Sequence, residues 1–256
     1  MQLFRQTGWM IVRQLRNLMR EPIWIALMVI QPLIWLLLYG QLFSRVGALR
    51  GGATSYIEFL TPGIVMMMAL FGSAWAGTSY IQDMDRGVMD RLLTSPTNRG
   101  ALMVSTLVYQ AVLTIGQTLI VLGVAWLCGA RYGGGALGLV VLLVAAILLT
   151  AVFSALSNAV ALLARDQGAL IGISQLVTIP LMFLSSALMD TKLSASWVGN
   201  VAAYNPFEWA VIAGREAMQK SPHWSTIGTH VGLLAALAAV MVWVATTAFR
   251  AYQRST

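Results

Sequence analysis

The stretch DMDRGVMDRLLTSPTNR, Asp83 to Arg99, decides how the chain is read. It is the one long polar interruption before residue 163 that carries a helical pattern, and apolar runs flank it on both sides. Three of the nine acidic residues (Asp83, Asp85, Asp90) and three of the sixteen basic residues (Arg86, Arg91, Arg99) lie in it. Val88, Leu92 and Leu93 fall at i, i+4 and i+5 and share one helical face. Gly87 weakens the helix and admits a second backbone at close range. Ser95-Pro96 ends it, because the residue before proline is driven out of the α region. The spacing predicts a short charged helix with a small apolar patch at a membrane surface. A solvated loop helix is the plain alternative.

Composition sets the frame around that stretch. The 256 residues are 58% hydrophobic and 10% charged, against about 25% charge in soluble domains. The fold class expected is therefore an all-α integral membrane protein. The net charge of +7 fits basic loops on one membrane face. The basic residues are scattered, with no basic stripe interleaved with aromatics, so nucleic acid is not an expected partner. Cys128, the single cysteine, can form no internal disulfide and has no metal-ligand neighbours. The first apolar run starts after residue 22, is too long for a signal-peptide core and lacks a small-residue cleavage site, so it is read as a retained helix.

Taken in order, residues 1–22 form an interfacial helix. On a wheel of ~100° per residue, Arg5, Arg13, Arg16 and Arg20 share a narrow sector opposite Phe4, Met10, Ile11, Leu15, Leu18 and Met19. The basic face suits anionic head groups; docking on a soluble partner is compatible with it. Ile23–Phe43 is long enough, at ~1.5 Å per residue, to cross a hydrocarbon core of ~30 Å. Pro32 implies a kink there, beside the polar Gln31. The second span is Phe59–Tyr80, with Ala69, Ser73 and Gly77 at four-residue intervals as a small-residue packing face. The third is Met103–Cys128, where Gln110 and Gln117 face the same way, toward other helices or a cavity. Gly129–Gly135 is a glycine-rich turn without the Gly-Lys-Ser/Thr of a phosphate loop. The fourth span is Ala136–Leu163, with Ser154 and Asn158 on one face. The fifth, Ala169–Leu188, is expected to break at Pro180 and to end in Ser185-Ser186. Residues 189–227 are too apolar for a solvated loop and too interrupted to span, which predicts a re-entrant helical hairpin in the outer leaflet; a cap over the outer mouth is the alternative. Thr229–Phe249 is the sixth span.

Six spans put both termini on one side. With the N-terminus inside, ten basic residues lie inside (Arg5, Arg13, Arg16, Arg20, Arg86, Arg91, Arg99, Arg165, Arg250, Arg254) and six outside (Arg45, Arg50, Arg131, Lys192, Arg215, Lys220). The basic excess makes both termini and the 83–99 stretch cytoplasmic.

No acidic, basic or histidine residue falls mid-span, which argues against a proton relay. Sodium coupling through broken helices at Pro32 and Pro180 stays open. His223 and His230 lack ligand spacing. No nucleophile–base pair lies at membrane depth, and there is no Walker motif. The chain is not expected to be an enzyme. Energy for uphill movement would have to enter through a partner, and the 83–99 helix is where a partner could push.

These residues resemble the ABC-2 type permease, the membrane subunit of an ATP-binding-cassette exporter, in its daunorubicin-resistance and nodulation-export branch. Three features carry the likeness. The first helix ends in Arg20-Glu21-Pro22. Asp85-Arg86-Gly87, Asp90-Arg91-Leu92-Leu93-Thr94-Ser95-Pro96 and Arg99 are similar to the family's acidic-Arg-Gly-Thr…Glu-Arg-Leu-Leu-x-Ser-Pro segment. Pro180, Phe183-Leu184-Ser185-Ser186 and Asn205-Pro206-Phe207 resemble its ending. Val88 stands where threonine is common, and Asp190 where a Phe-Pro pair often follows the fifth span.

The resemblance implies one transmembrane domain over residues 1–256. It also implies a separate ATPase subunit carrying ATP and Mg, no cofactor on this chain, and a second permease copy, most simply a homodimer. Residues 83–99 would be the coupling helix, with Asp85, Arg86, Gly87, Asp90, Arg91, Leu92 and Leu93, aided by Arg16 and Arg20, as the surface seated in the ATPase. Cargo would enter from the cytosol or inner leaflet between the first and fifth spans. Gln31, Trp35, Gln110, Gln117, Asn158 and Ser185 are the candidate pathway residues. The location implied is the cytoplasmic membrane of a prokaryote, with membrane lipid as surroundings. An amphiphilic small molecule or lipid is the expected cargo. A lipid-linked polysaccharide is the alternative, for which Trp35, Tyr39, Phe71 and Trp75 could line part of a channel. A non-transporting scaffold and a sodium-coupled carrier are the competing classes.

Overall fold

The computed structural model describes residues 2–20, 22–43, 55–88, 99–189 and 196–254. Among them, all regular structure is helical: α1 (Gln2–Met19), α2 (Pro22–Leu42), α3 (Tyr56–Ala74), α4 (Thr78–Asp85), α5 (Arg99–Leu127), α6 (Gly135–Ala164), α7 (Gln167–Phe183), α8 (Ser196–Ala202), α9 (Pro206–Ala217) and α10 (Trp224–Arg254). Among the described residues, four segments are long and apolar enough to cross a membrane: Tyr56–Asp85, Val104–Leu127, Gly135–Ala164 and Trp224–Phe249. Ala26–Leu42 and Gln167–Phe183 are apolar but shorter. The chain is a membrane protein with several apolar helices.

The long α6 is the axis of the bundle and packs on α10, α3, α9 and α5. Its buried Leu142, Ala145, Ala146, Leu149 and Phe153 meet Leu60, Ile64, Met66 and Leu70 of α3 and Phe207 and Val211 of α9 in one core. The outward faces of α2 and α7 expose Ile30, Ile34, Leu38, Leu176, Ile179 and Phe183, an apolar coat that suits hydrocarbon. Helix starts follow capping rules: the Ser55 hydroxyl accepts from the Glu58 N–H at 3.2 Å and Asp166 from the Ala169 N–H at 2.7 Å.

Two expected spans differ from the sequence reading. The fifth does not break at Pro180 or reach Leu188: α7 runs through Pro180 and stops at Phe183. The segment after it is irregular and is tied down at every step. Asn205 donates to the Leu181 and Leu184 carbonyls at 2.7 and 2.8 Å, while its side-chain oxygen accepts from the Phe207 N–H and starts α9. Buried Glu208 accepts from the Ser186 N–H at 2.6 Å. Arg215 donates to the Ser186 hydroxyl and carbonyl at 3.0 and 2.9 Å and lies 3.8 Å over the Phe59 ring. The Tyr56 hydroxyl donates to the Leu188 carbonyl at 2.7 Å. Asn205-Pro206-Phe207 is therefore a double cap joining the end of one helix to the start of another.

The second span is also not one helix. It breaks at Trp75–Gly77 into α3 and α4. Across the break the backbone switches to i→i+3 bonds: Ala76 N–H to Ser73 carbonyl and Thr78 N–H to Trp75 carbonyl, each 3.1 Å. The four-residue spacing of Ala69, Ser73 and Gly77 does mark a buried face. At Gly77 the approach is so close that a Cβ would lie 2.4 Å from the Ser157 carbonyl oxygen.

Beyond α7, the 189–227 region contains a helix–turn–helix, α8 and α9, with residues 190–195 outside the described set. Far from being a lid, α9 is packed against α3, α6 and α10 with Phe207, Ala210, Val211 and Gly214 buried. Its C-terminal end rests on the glycine-rich turn, where Gly134 N–H bonds the Met218 carbonyl at 3.2 Å. Trp197 and Tyr204 of the α8 region are exposed, as are Trp126 and Trp224 on neighbouring helix ends; such rings favour a membrane–water interface.

The double cap predicts an unusual ranking of substitutions. Asn205→Asp keeps the acceptor for Phe207 but loses both donors to Leu181 and Leu184. It is expected to lower stability at least as much as Asn205→Ala, by about 2–4 kcal/mol for two buried carbonyls left bare. Thermal unfolding in detergent checks this; an unchanged midpoint for the aspartate variant would sink the double-cap account.

Candidate functional site

The 83–99 stretch begins as the last turn of α4 rather than as a separate helix. Asp83 and Asp85 close α4, and the Arg86 N–H bonds the Gln82 carbonyl at 3.1 Å. Gly87 does not sit within a continuing helix as the sequence suggested. Its φ of +64° is left-handed, and its N–H returns to the Met84 carbonyl at 3.0 Å, a helix-terminating turn that favours glycine. Asp90, Arg91, Leu92 and Leu93, with Ser95-Pro96, lie outside the described residues. Asp85 and Arg86 are exposed. Asp83 accepts from Arg13 of α1 at 3.2 Å, an ion pair that ties the N-terminal amphipathic helix to α4. Arg16 and Arg20 are exposed on the same helix end. One charged surface thus gathers α1 and the end of α4, with Arg13 as a member the wheel placed among the basic residues without assigning it a partner.

The candidate pathway residues scatter. Gln31 is exposed on α2. Trp35 stacks on Tyr39 with ring centres 5.0 Å apart, and the run continues through Phe43 and Tyr56 to Phe59 at 5.7, 5.8 and 6.2 Å. Phe71 is half-buried and Trp75 exposed. The Ser185 hydroxyl donates to the Met182 carbonyl at 2.6 Å, so it serves the turn after α7. Gln110 and Gln117 are half-buried on α5.

Asn158 differs from all of these. It is fully buried on α6, and its carboxamide nitrogen and oxygen, like the Ser154 hydroxyl one turn away, have no hydrogen-bond partner among the described residues. Farther along the same helix the Thr150 and Thr114 hydroxyls meet at 2.9 Å between α6 and α5. Stepping by turns in opposite directions from that contact brings Gln110 level with Ser154 and Thr106 level with Asn158. Thr106 in turn donates to the Tyr80 hydroxyl at 3.4 Å. A polar seam therefore runs between α5 and α6 toward α4.

Sequence reasoning assigned no role to Glu208 and Arg215, which are buried and half-buried respectively and anchor Ser186. Their seven-residue spacing behind a Asn-Pro start was the available signal. It also missed Ser157 and Ser174, whose hydroxyls both donate to the Ala74 carbonyl, at 2.6 and 2.8 Å.

A helical membrane protein with a charged surface formed by α1 and the end of α4 is the class that fold and site define. The chain belongs to the ABC-2 type transporter family, which matches residues 5–218; members of that family are the membrane subunits of ABC transporters. The chain is 30% identical over 224 residues, 86% of its length and 77% of the other's, to the daunorubicin resistance ABC transporter permease protein DrrB1 of Streptomyces coeruleorubidus. It is 28% identical over 211 residues to the putative transport permease ycf38 of Cyanophora paradoxa, covering 81% and 72% of the two chains. The probable doxorubicin resistance ABC transporter permease protein DrrC of Mycobacterium tuberculosis is 24% identical over 196 residues, covering 77% and 70%.

The unpaired carboxamide of Asn158 makes a sign prediction. Removing a buried polar group that lacks a partner is neutral or stabilising. Asn158→Leu is expected to hold or raise the thermal midpoint, by about 2–4 °C per kcal/mol gained. A clear drop on thermal unfolding in detergent would mean that the carboxamide is paired in the membrane.

Proposed function

We propose that this chain is the permease subunit of an ATP-driven exporter that moves an amphiphilic small molecule outward from the cytosol or inner leaflet. Family membership carries this reading, and the names of the resistance permeases it resembles point to drug-like cargo. The six apolar helices α2, α3–α4, α5, α6, α7 and α10 are the spans. The α8–α9 hairpin lies in the outer leaflet, and both termini are cytoplasmic. The exposed aromatic ends near α8 and the apolar coats of α2 and α7 support that placement.

ATP and Mg are bound and hydrolysed by a separate subunit, and this chain holds no cofactor. That subunit receives the end of α4 and the residues that follow, with Asp85, Arg86 and Gly87 leading into Asp90, Arg91, Leu92 and Leu93, and with Arg16 and Arg20 flanking. Asp85 and Arg86 are free to meet it because they are exposed, whereas Asp83 is engaged by Arg13. A second copy of the chain completes the pathway. An oligosaccharide cargo is less well supported, since Trp35 and Tyr39 stack on each other and on Phe43.

Purification of the tagged protein from its own host in mild detergent is the direct test, with mass spectrometry of what accompanies it. A stoichiometric ATPase subunit is expected. Its absence across several gentle conditions, with export that persists after ATP depletion, would overturn the reading in favour of a carrier. Gly87 gives a sharper prediction. A bulky charged residue at φ +64° carries about 1–2 kcal/mol of left-handed strain, a five- to thirtyfold shift away from the turn. Gly87→Glu is expected to insert normally but lose transport and ATPase binding, whereas Gly87→Asn, which tolerates that conformation, retains most of both. Equal export by the two variants would count against the turn's role.

A further inference from the structure

The break between α3 and α4 lies on the covalent route from the proposed ATPase-facing segment into the membrane. Its backbone groups are not left bare. With the Thr78 N–H bonded to the Trp75 carbonyl, the Ala74 carbonyl has lost its helical donor. The Ser157 hydroxyl of α6 and the Ser174 hydroxyl of α7 both donate to it instead, at 2.6 and 2.8 Å. The Gly77 N–H, whose helical acceptor is engaged by Ala76, donates to the Ser157 oxygen at 3.0 Å. One serine thus takes up a carbonyl and an N–H of the same break, and both serines are buried. No proline forces the helix to part here.

Beside the break is a small cleft with a cavity volume of about 20 Å³. Phe153, Ser157 and Val160 of α6 wall one side and Ser174 and Thr178 of α7 the other, with Ala74 between them. The Thr178 hydroxyl donates within α7, to the Ser174 carbonyl at 2.8 Å. The Ala74 carbonyl is therefore the point at which three helices share one acceptor, beside a small gap between α6 and α7.

We propose that Trp75–Gly77 is a hinge and that Ser157 and Ser174 are its positioning residues. A tilt of α4 is delivered through the shared Ala74 carbonyl to α6 and α7, changing the width of the cleft between them, rather than passing rigidly up α3. This rests on the permease reading and adds to it the residues that carry motion from the cytoplasmic end into the bundle. The geometry suits the task. Gly77 lets α6 come within backbone contact, and a carbonyl with two donors can lose one during movement and remain paired.

The test uses the complex of this chain with its ATPase subunit in lipid vesicles. Spin labels go on Gln82→Cys of α4 and Leu163→Cys of α6, both exposed, in a Cys128→Ser background. Between the nucleotide-free and vanadate-trapped states the distance between labels is expected to move by about 2–5 Å. In Ser157→Ala/Ser174→Ala that shift is lost, ATP hydrolysis is retained, and cargo moved per ATP falls about tenfold, the factor matching one ordinary hydrogen bond. Ser174→Thr, which keeps the hydroxyl, behaves as the parent. A parent complex that hydrolyses and transports with an unmoving distance would overturn the hinge alone. So would a double alanine variant with parental cargo per ATP. Loss of hydrolysis and transport together, shared by Ser174→Thr, would show the serines to be structural only. A parent preparation that binds no ATPase removes the permease reading and the hinge with it.

Discussion

A peptide group inside an apolar bundle must hydrogen-bond somewhere, because no water is there to receive it. A bare amide in such surroundings costs about 2–7 kcal/mol, which is comparable to the whole stability of many domains. Among the described residues, helices end inside the bundle after Ala74 and after Phe183. At both places polar side chains from distant helices are bonded to the freed groups. Ser157 and Ser174 serve the first break, and Asn205, Glu208, Arg215 and Tyr56 the second. The positions of α6, α7 and α9 follow from these bonds, since each helix must present its side chain at hydrogen-bond distance from one particular backbone atom.

That dependence explains what could be read in the chain before folding. Apolar runs specify where helices lie, so α2, α5, α6 and α10 match the expected spans to within a few residues. The amphipathic wheel of residues 3–20 corresponds to α1, and Asn205-Pro206-Phe207 marks the start of α9. The break at Trp75–Gly77 was not legible. Its only local sign, Ala69, Ser73 and Gly77 at four-residue spacing, is shared with any close-packed helix face, and its hydrogen-bond partners lie 80 and 100 residues away. Pro180 misled in the opposite direction, because a helix whose flank is exposed can bend around proline without ending. Glu208 and Arg215 were placed in the expected outer hairpin without a role. Only the burial of α9 against α3, α6 and α10 turns them into interior anchors.

The candidate site was legible in part for a related reason. Charge pattern and glycine position singled out the end of α4, but pattern alone treated Gly87 as a weak point inside a helix. The positive φ there instead makes it a stop at the end of α4. Among the pathway candidates, type alone could not separate a polar group that serves the backbone from one that does not. Ser185 is engaged by its own turn. Asn158 is buried without a partner among the described residues, which sets it apart from residues that were its equals in the sequence.

The two breaks also differ in kind. The outer one is held by a carboxylate, a guanidinium and a carboxamide, groups that form several bonds at once and are costly to part in a low-dielectric interior. Moving the carboxylate or the guanidinium would strand a charge, and moving the carboxamide would bare two carbonyls. The inner one is held by two hydroxyls on one carbonyl. A hydroxyl rotates freely, and a carbonyl oxygen has room for two donors, so one bond can be exchanged while the other persists and no peptide group is bared. The same rule of complete backbone pairing therefore yields a rigid clamp at one end of the bundle and a yielding joint at the other. The yielding joint lies next to the charged end of α4, where a partner's force would enter under the permease reading.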